Sequence, residues 1–339
     1  MPEPVATFAE ILALLPELPG PDLESATKAA AREARLTKPA GALGRLEELT
    51  AWMATWQGTH PPRLNRPRVA VFAGNHGVAA RGVSAVPAEV TAQMVQNFIA
   101  GGAAVNQLCT AFDAELRVYE MALEAPTRDF AAGPAMDEGE CARAVAYGMM
   151  AVEPGIDLLC LGEMGIANTT AASAMCVGLF GGTAADWVGP GTGVAGTALA
   201  RKVETVAAAA ELHFAQKRAP LDVLARVGGF ELAAIVGAVL AARLARVPVL
   251  LDGFACTVAG AVVAALDPRG LDHCQIAHMS AEPGHRRLLD RLGRKPLLDL
   301  GMRLGEASGA ALAIGLVRAA LACHAGMATF DDAGVAGKA

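Results

Sequence analysis

Two glutamates lie in glycine-rich segments whose composition suits proton transfer. Glu163 lies in Leu161-Gly162-Glu163-Met164-Gly165, and Glu306 lies in Leu304-Gly305-Glu306-Ala307-Ser308-Gly309. Glycine beside a carboxylate lets the backbone, and therefore a ligand, approach the acid closely. In an apolar pocket the ionised carboxylate is disfavoured, so its pKa rises from about 4.3 towards neutrality. Each glutamate is therefore a candidate general base. A solvated glutamate at a loop end is the alternative for each.

The residues after Glu163 have the composition of an anion-binding helix start. Gly165 is followed by Asn168 and Thr169, where a strand is expected to give way to a helix. The free amides at a helix N-terminus, with a threonine hydroxyl beside them, suit a phosphate. An ordinary Asn/Thr helix cap explains the same residues.

A second glycine-rich segment, residues 189–196, contains a G-x-G-x-x-G match that begins at Gly191. After a strand and before a helix, this pattern is typical of dinucleotide-binding sites, so a nicotinamide-dependent dehydrogenase is an alternative function. A tight loop that approaches another ligand fits equally well. Lys202 follows in the next predicted helix, from which its ammonium could reach a phosphate.

Three further polar residues are candidates for binding a small molecule. Residues 82–97 predict a turn and a helix whose apolar and small side chains could wall a flat aromatic ligand. Ser84 or Gln93 would anchor that ligand by a hydrogen bond, although a plain loop and surface helix is the simpler explanation. Asp252 follows a predicted strand and could orient a ribose hydroxyl or cap the next helix.

The elements that must position these residues alternate along the chain. Helices are predicted over 88–99, 197–216, 231–244 and 282–292. The strand candidates are Val69–Phe72, Leu116–Tyr119, Ile156–Cys160, the weak pair Trp187-Val188, Val247–Leu251 and Cys274–Ala277. Continuous apolar strands that alternate with helices predict an α/β fold with a mainly parallel sheet covered on both faces. Ligands of such sheets bind beyond the carboxyl ends of the strands, where Asn75, His76, Glu163, Asp252 and His278 would meet.

The two ends of the chain differ from this pattern. Residues 8–15 and 43–56 predict amphipathic helices joined by a proline-containing loop, and residues 310–322 predict another helix. We therefore expect a large α/β domain over 61–295. The segments 1–60 and 296–339 are expected to form a small helical domain together.

Composition excludes several functional classes. The net charge is −6 and no basic run occurs, which argues against nucleic acid as a partner, although a phosphate-bearing metabolite remains possible. Hydrophobic residues make up 53% of the chain, which suggests that another subunit covers some apolar surface. The longest uninterrupted apolar stretch, Ala255–Leu266, is shorter than the ~20 residues that span a bilayer, so no membrane partner is expected.

Cysteine and histidine spacing bears on compartment and metals. The seven cysteines include no CxxC pair, and Met1-Pro2-Glu3-Pro4 lacks the positive charge of a signal peptide. We therefore expect a cytoplasmic protein with free thiols. The seven histidines form neither H-x-x-x-H nor HExxH, so no metal site is expected.

Taken together, these motifs resemble the nicotinate-nucleotide–dimethylbenzimidazole phosphoribosyltransferase family, which makes the lower-ligand nucleotide of cobalamin. The resemblance runs nearly end to end. It is carried by Leu36–Glu47, Phe72–Val78, Gly82–Ser84, Gly162–Thr170, Gly191–Gly193, Leu251–Gly253, Ser280–His285 and, most specifically, Pro296–Glu306.

The resemblance implies a Rossmann-like parallel sheet, a small helical domain from both chain ends, and a homodimer with active sites near the subunit interface. It implies transfer of 5-phosphoribosyl from nicotinate mononucleotide to 5,6-dimethylbenzimidazole, which gives nicotinate and α-ribazole 5′-phosphate. No metal or other cofactor is required.

The resemblance also assigns roles by motif position. Glu306 takes the place of the catalytic base, and Glu163 that of the second active-site glutamate. Gly165, Gly191, Lys202 and Asp252 fall at positions that contact the nucleotide or nicotinate, whereas the Ser84–Gln93 region and Leu304 fall beside the benzimidazole. The helix start adds Asn168 and Thr169, and the most specific motif adds Arg303. The expected substrate-binding residues are therefore Ser84, Gln93, Gly165, Asn168, Thr169, Gly191, Lys202, Asp252, Arg303 and Leu304.

The sequence departs from the commoner family pattern at several positions. Asn75 replaces a frequent Asp, Ala167 a frequent Gly, and Pro190 and Met279 each a frequent Arg. The pair Ala307-Ser308 replaces Gly-Thr. Both glutamates remain, so the departures concern the recognition of the phosphate and of the benzimidazole.

Overall fold

The computed structural model describes residues 7–336, so the first six and last three residues of the two terminal segments lie outside it. Its centre is a six-stranded, all-parallel sheet in the order β2-β1-β3-β4-β5-β6. The predicted α/β fold is confirmed. The strands are β1 (Pro67–Gly74), β2 (Glu115–Met121), β3 (Leu158–Met164), β4 (Val249–Leu251), β5 (Cys274–His278) and β6 (Pro296–Leu298).

Helices connect the strands and cover the sheet. The α-helices of the described residues are α1 (Phe8–Ala13), α2 (Leu23–Glu33), α3 (Arg45–Gln57), α4 (Val90–Ile99), α5 (Ala104–Ala111), α6 (Glu138–Met149), α7 (Asn168–Phe180), α8 (Gly196–His213), α9 (Pro220–Val227), α10 (Phe230–Leu244), α11 (Phe254–Leu266), α12 (Pro283–Leu292), α13 (Ser308–Gly326) and α14 (Phe330–Ala333). Short 3-10 turns occur at Leu15–Glu17, Gly77–Arg81 and Ala184–Asp186.

Both faces of the sheet are buried, because alternate strand residues point to opposite sides. Ala70 and Phe72 of β1 join a core with α6, α7, α10 and α11. Val69, Val71 and Ala73 of the same strand join a second core with α3, α4, α5 and α13. Every residue of β1 and β3 is buried. This is why the sequence shows continuous apolar runs instead of alternation.

Two expectations about local structure were wrong, and one strand was missed. Trp187-Val188 forms no strand: the 3-10 turn Ala184–Asp186 precedes it, and Trp187 is buried by packing, with its Nε1 donating to Gly181 O at 2.9 Å. The loop expected between the first two helices contains α2, in which only Ser25 and Ala29 are buried. Strand β6 was missed because it has three half-buried residues and begins at a proline.

The described parts of the two terminal segments contact each other. Helix α13 packs against α3, and His324 Nδ1 lies 2.6 Å from Glu33 Oε1 of α2. Arg32 of α2 donates to the carbonyl of His324 at 2.6 Å. The segment 296–339 also supplies β6 to the sheet, so the division into 61–295 and a small helical domain of 1–60 with 296–339 stays a prediction.

Helix α13 is the described helix that is long and apolar enough to cross a bilayer. It contacts β1, β3, β4, β5 and β6 as well as α3 and α5. Its apolar length is therefore explained by its place in the second core. A single helix of this kind is weak support for a membrane span.

Helices α6 and α10 cross at glycines. A Cβ at Gly237 of α10 would overlap the carbonyl of Val145, and a Cβ at Gly148 of α6 would overlap the carbonyl of Ala234. Because both obstacles are backbone atoms, no side-chain movement relieves them. The two helices can approach only where a glycine stands.

We expect Gly237→Ala to lower the free energy of unfolding by at least ~1–3 kcal/mol, because the added methyl group forces the helices apart. Urea unfolding followed by circular dichroism measures this. Gly326→Ala is the matched control, since Gly326 is an exposed helical glycine whose Cβ would meet nothing within 4 Å. Equal unfolding midpoints for the two variants would contradict the close-packing explanation.

Candidate active site

A cavity of about 310 Å³ lies at the carboxyl edge of the sheet. Segments that follow β1, β3, β4, β5 and β6 contribute to it, together with the glycine-rich loop before α8. This is where ligands of open parallel sheets bind. The lining residues are Val86, Val90, Met94, Glu163, Met164, Gly165, Ile166, Asn168, Thr169, Gly191, Thr192, Gly253, Phe254, Ala255, His278, Ser280, Glu282, Arg303, Leu304, Gly305 and Glu306.

Glu163 is the penultimate residue of β3 and is buried in the cavity wall. Asn168, at the start of α7, donates from Nδ2 to Glu163 Oε2 at 2.5 Å. Burial raises the pKa of Glu163 well above its usual range, and the charges of Asp252 and Glu231 raise it further, against a lowering by the Asn168 hydrogen bond. The protonated form of this carboxyl is therefore favoured.

Glu306 lies in the turn between β6 and α13 and is also buried. Its backbone N–H donates to the carbonyl of Glu163 at 3.1 Å, which joins the two acidic segments directly. Burial, followed by the charge of Asp252, raises the pKa of Glu306 to about 7. A carboxylate with that proton affinity is suited to accept a proton at neutral pH.

The turn that carries Glu306 has unusual backbone geometry. Glu306 and Ala307 both adopt left-handed conformations, with φ of 60° and 59°. This conformation costs a non-glycine residue free energy, so two such residues in succession persist only where the surrounding structure fixes them. Gly162 of β3 makes the fit possible, because a Cβ there would overlap the backbone of Ala307. The glycine beside Glu163 thus serves the approach of the second acidic segment.

Another part of the cavity wall offers groups for an anion. Helix α7 begins at Asn168, and Thr169 in its first turn lines the cavity. Lys202 of α8 donates from Nζ to Thr169 Oγ1 at 2.8 Å and to Gly189 O at 2.9 Å. Burial lowers the pKa of Lys202 to about 8, against the opposing charge of Glu282.

The loop at 189–192 is held from three sides. Its Gly191 N–H donates to Glu282 Oε1 at 2.9 Å, and its Gly191 carbonyl accepts from Arg303 Nη1 at 3.1 Å. Thr192 Oγ1 lies 3.0 Å from Ser84 Oγ in the loop after β1. Gly191 has a φ of 53°, and a Cβ there would lie 2.8 Å from Lys202 Nζ.

The structure brings most of the expected site residues together. Those that line the cavity are Glu163, Gly165, Asn168, Thr169, Gly191, Arg303, Leu304 and Glu306. Ser84 bonds to Thr192 at the cavity mouth, and Gln93 is exposed on α4 outside the lining. Lys202 and Asp252 are buried behind the wall. Substrate contact stays a prediction for all of the expected residues.

Several lining residues were not among the expected ones. His278 ends β5 and was expected at this edge of the sheet, whereas Ser280, after β5, and Glu282, before the proline that opens α12, were not. Proline at a first helical position after a strand end was the available signal for a helix start at this edge. The apolar lining residues Val86, Val90 and Met94 belong to segment 82–97, whose apolar side chains were expected to wall a flat ligand. Among residues 7–336, no group of three or more His, Cys, Asp or Glu side chains could hold a metal ion.

The glycine match at 191–196 does not have the surroundings of a dinucleotide motif. It follows the 3-10 turn Ala184–Asp186 rather than a strand of the sheet. The fingerprint requires a strand that leads directly into the loop and helix. The structural context therefore removes the main support for a dehydrogenase.

Comparisons with known proteins agree with the geometry. A family model described as "Phosphoribosyltransferase" matches residues 18–335. The nicotinate-nucleotide–dimethylbenzimidazole phosphoribosyltransferase of Brucella anthropi is 56% identical over 330 residues, which cover 97% of each chain. The protein of the same name from Sinorhizobium medicae is 56% identical over 331 residues, or 98% of each chain.

A solved structure supports the same relation. The crystal structure of the Thermus thermophilus protein of that name matches with a TM-score of 0.86 and 41% sequence identity, over 94% of this chain and 100% of the other. The likeness thus extends to the whole fold as well as the motifs. The chain belongs to the nicotinate-nucleotide–dimethylbenzimidazole phosphoribosyltransferase family.

Proposed function

We propose that this enzyme transfers 5-phosphoribosyl from nicotinate mononucleotide to 5,6-dimethylbenzimidazole and releases nicotinate and α-ribazole 5′-phosphate. The family relation supplies the reaction class. The observation that carries the residue assignment is Glu306, a buried acid with a pKa of about 7, in a cavity at the carboxyl edge of the sheet.

In the proposed step, one ring nitrogen of dimethylbenzimidazole forms a bond to C1′ of the ribose. The bond from C1′ to the nicotinate nitrogen breaks, and its electron pair neutralises the pyridinium, so the leaving group needs no proton. The other ring nitrogen loses its proton to Glu306. Attack from the face opposite the leaving group converts the β-nucleotide into an α-product.

The two glutamates differ in their fitness as bases. Glu306 is half ionised near neutral pH, since its pKa is about 7. Burial and three neighbouring carboxyl groups favour the protonated form of Glu163. We therefore assign the proton acceptor to Glu306 and a hydrogen-bonding role to Glu163.

Apolar side chains form a slot for the benzimidazole ring. Val86, Val90 and Met94 line the cavity from the β1–α4 segment and α4, and Leu304 lines it beside Glu306. A flat heteroaromatic ring between such walls loses its contact with water, which favours binding. Ser84, at the mouth, and Gln93, on α4, are proposed as polar contacts at the edge of this slot.

The phosphate is assigned to the part of the cavity wall formed by the start of α7. Asn168 and Thr169 line the cavity there, and the positive end of the helix dipole favours an anion. Lys202, bonded to Thr169, lends positive charge from behind the wall. Arg303 supplies a second cation from the mouth, where Pro190 and Met279 bring none.

The proposed enzyme is a cytoplasmic homodimer that uses no cofactor. Leu300 and Leu304 are 61% and 56% exposed in the loop at the cavity mouth, an apolar surface that a second subunit would cover. All seven cysteines are free and six of them are buried, which suits a reducing compartment.

The direct test is incubation of the purified protein with nicotinate mononucleotide and dimethylbenzimidazole, with products followed by mass spectrometry. We expect stoichiometric nicotinate and α-ribazole 5′-phosphate. Binding of the benzimidazole without nicotinate release would contradict catalysis and indicate a binding protein.

We expect Glu306→Gln to lower turnover by ~10²–10⁴-fold, because the amide keeps the shape of the side chain but cannot accept the proton. The affinity for nicotinate mononucleotide should change little. Steady-state kinetics measure both quantities. Glu24→Gln on exposed α2 is the control and should leave turnover unchanged. A larger loss in Glu163→Gln than in Glu306→Gln would transfer the base role to Glu163.

The rate should depend on pH through Glu306. Its reactive form is the ionised one, and its pKa is raised to about 7. We therefore expect kcat/KM to fall as the pH drops through about 7, by about tenfold for each further pH unit. A profile that stays flat down to the usual glutamate range, about pH 4 to 5, would show that the base is not a buried carboxylate.

A further inference from the structure

We propose that Asp252 is a positioning residue for Glu306: its buried carboxylate anchors the start of α13 and places a fixed negative charge behind the base. This inference rests on the proposed function, in which Glu306 accepts the proton. It gives Asp252 the role of supporting Glu306 instead of contacting the nucleotide.

Asp252 joins three elements of the fold. It follows β4, and its N–H donates to the carbonyl of Leu161 in β3 at 3.1 Å. Its Oδ1 accepts from the N–H of Ala310, in the first turn of α13, at 2.9 Å. An acidic side chain from a distant strand thus satisfies one of the free amides at this helix N-terminus.

The anchored helix start continues directly into the strained turn of Glu306. The left-handed pair Glu306 and Ala307 has support on one side from the carbonyl of Glu163, 3.1 Å from the Glu306 nitrogen. Asp252 fixes the other side through Ala310. Because strained backbone relaxes when its restraints are removed, loss of the Asp252 anchor would let Glu306 move.

Asp252 does not line the cavity. Its side chain is fully buried, and the cavity wall in front of it is formed by Gly253 and His278. One carboxylate oxygen bonds to Ala310, and the other has no hydrogen-bond partner within residues 7–336. Its charge therefore acts on neighbouring groups at close range, with little screening by water.

The groups that face this charge come from several elements. Glu163 and Glu306 gain proton affinity from Asp252, which supports the proposal beside the geometry. His278 of β5 lies 3.5 Å away at Nε2; burial lowers its pKa, but Asp252 outweighs burial and the net pKa is raised. Other charged or polar groups that line the cavity or act on the two glutamates include Asn168, Thr169, Thr192, Glu231, Ser280, Glu282 and Arg303.

The decisive variant is Asp252→Asn, which keeps an acceptor for Ala310 and removes the charge. The proton affinity of Glu306 should fall, so the acidic limb of kcat/KM should move to lower pH. The ratio of variant to wild-type activity should therefore rise as the pH falls. On the alkaline plateau we expect about a tenfold lower turnover, because the base is weaker.

Asp272→Asn is the matched control. Asp272 precedes β5, at the opposite end of the strand from His278, and pairs with Arg294. The activity of Asp272→Asn relative to the wild type should stay near one at every pH. A ratio for Asp252→Asn that does not change with pH, with a raised KM for nicotinate mononucleotide, would overturn the proposal and make Asp252 a nucleotide contact.

A substrate-free measurement separates this inference from the proposed function. Infrared spectra of the wild type minus Glu306→Gln, recorded against pH, report the protonated carboxyl of Glu306. We expect a midpoint near 7 and a lower midpoint in the Asp252→Asn background. This result stands even if no nicotinate is released. If Asp252→Asn does not fold, a wild-type midpoint in the usual glutamate range, about 4 to 5, would still overturn the inference.

Discussion

One backbone hydrogen bond joins the two halves of the site: the N–H of Glu306 donates to the carbonyl of Glu163 at 3.1 Å. It holds the turn before α13 against the carboxyl end of β3, and Gly162 leaves the space for Ala307 to lie there. The parallel sheet supplies the rest, because its strands end at a common edge. Two acids that are distant in the chain therefore share one cavity.

That arrangement places several carboxyl groups in a poorly solvated region. Glu163, Glu231 and Asp252 are each buried, and Glu306 lies among them. Desolvated acids of like charge are costly to a fold, and their cost must be offset by the two apolar cores. Burial, followed by the charge of Asp252, gives Glu306 a pKa of about 7. Reactivity and local instability thus have a common origin here.

Local sequence patterns predicted much of this architecture, but they did not predict how deeply each residue is buried. The strand ends at Glu163, Asp252 and His278 were found because apolar runs and glycines are local features. The sequence did not show that Gln93 is exposed on α4 or that Asp252 is fully buried. Spacing along a chain gives the face of an element, whereas distance from a cavity depends on packing against elements far away. Trp187 misled for the same reason, since its burial comes from tertiary contacts.

The place of α13 has a consequence for how the enzyme is made. Every strand of the sheet precedes α13 in the chain, yet the turn before it carries the base and its first turn receives the Asp252 anchor. During synthesis the six strands, the loop before α7 and the loop at 189–192 emerge from the ribosome first. Domains begin to fold as they emerge. Because residues 303–306 line the cavity and α13 covers one face of the sheet, the site is completed only when one of the last helices has been made.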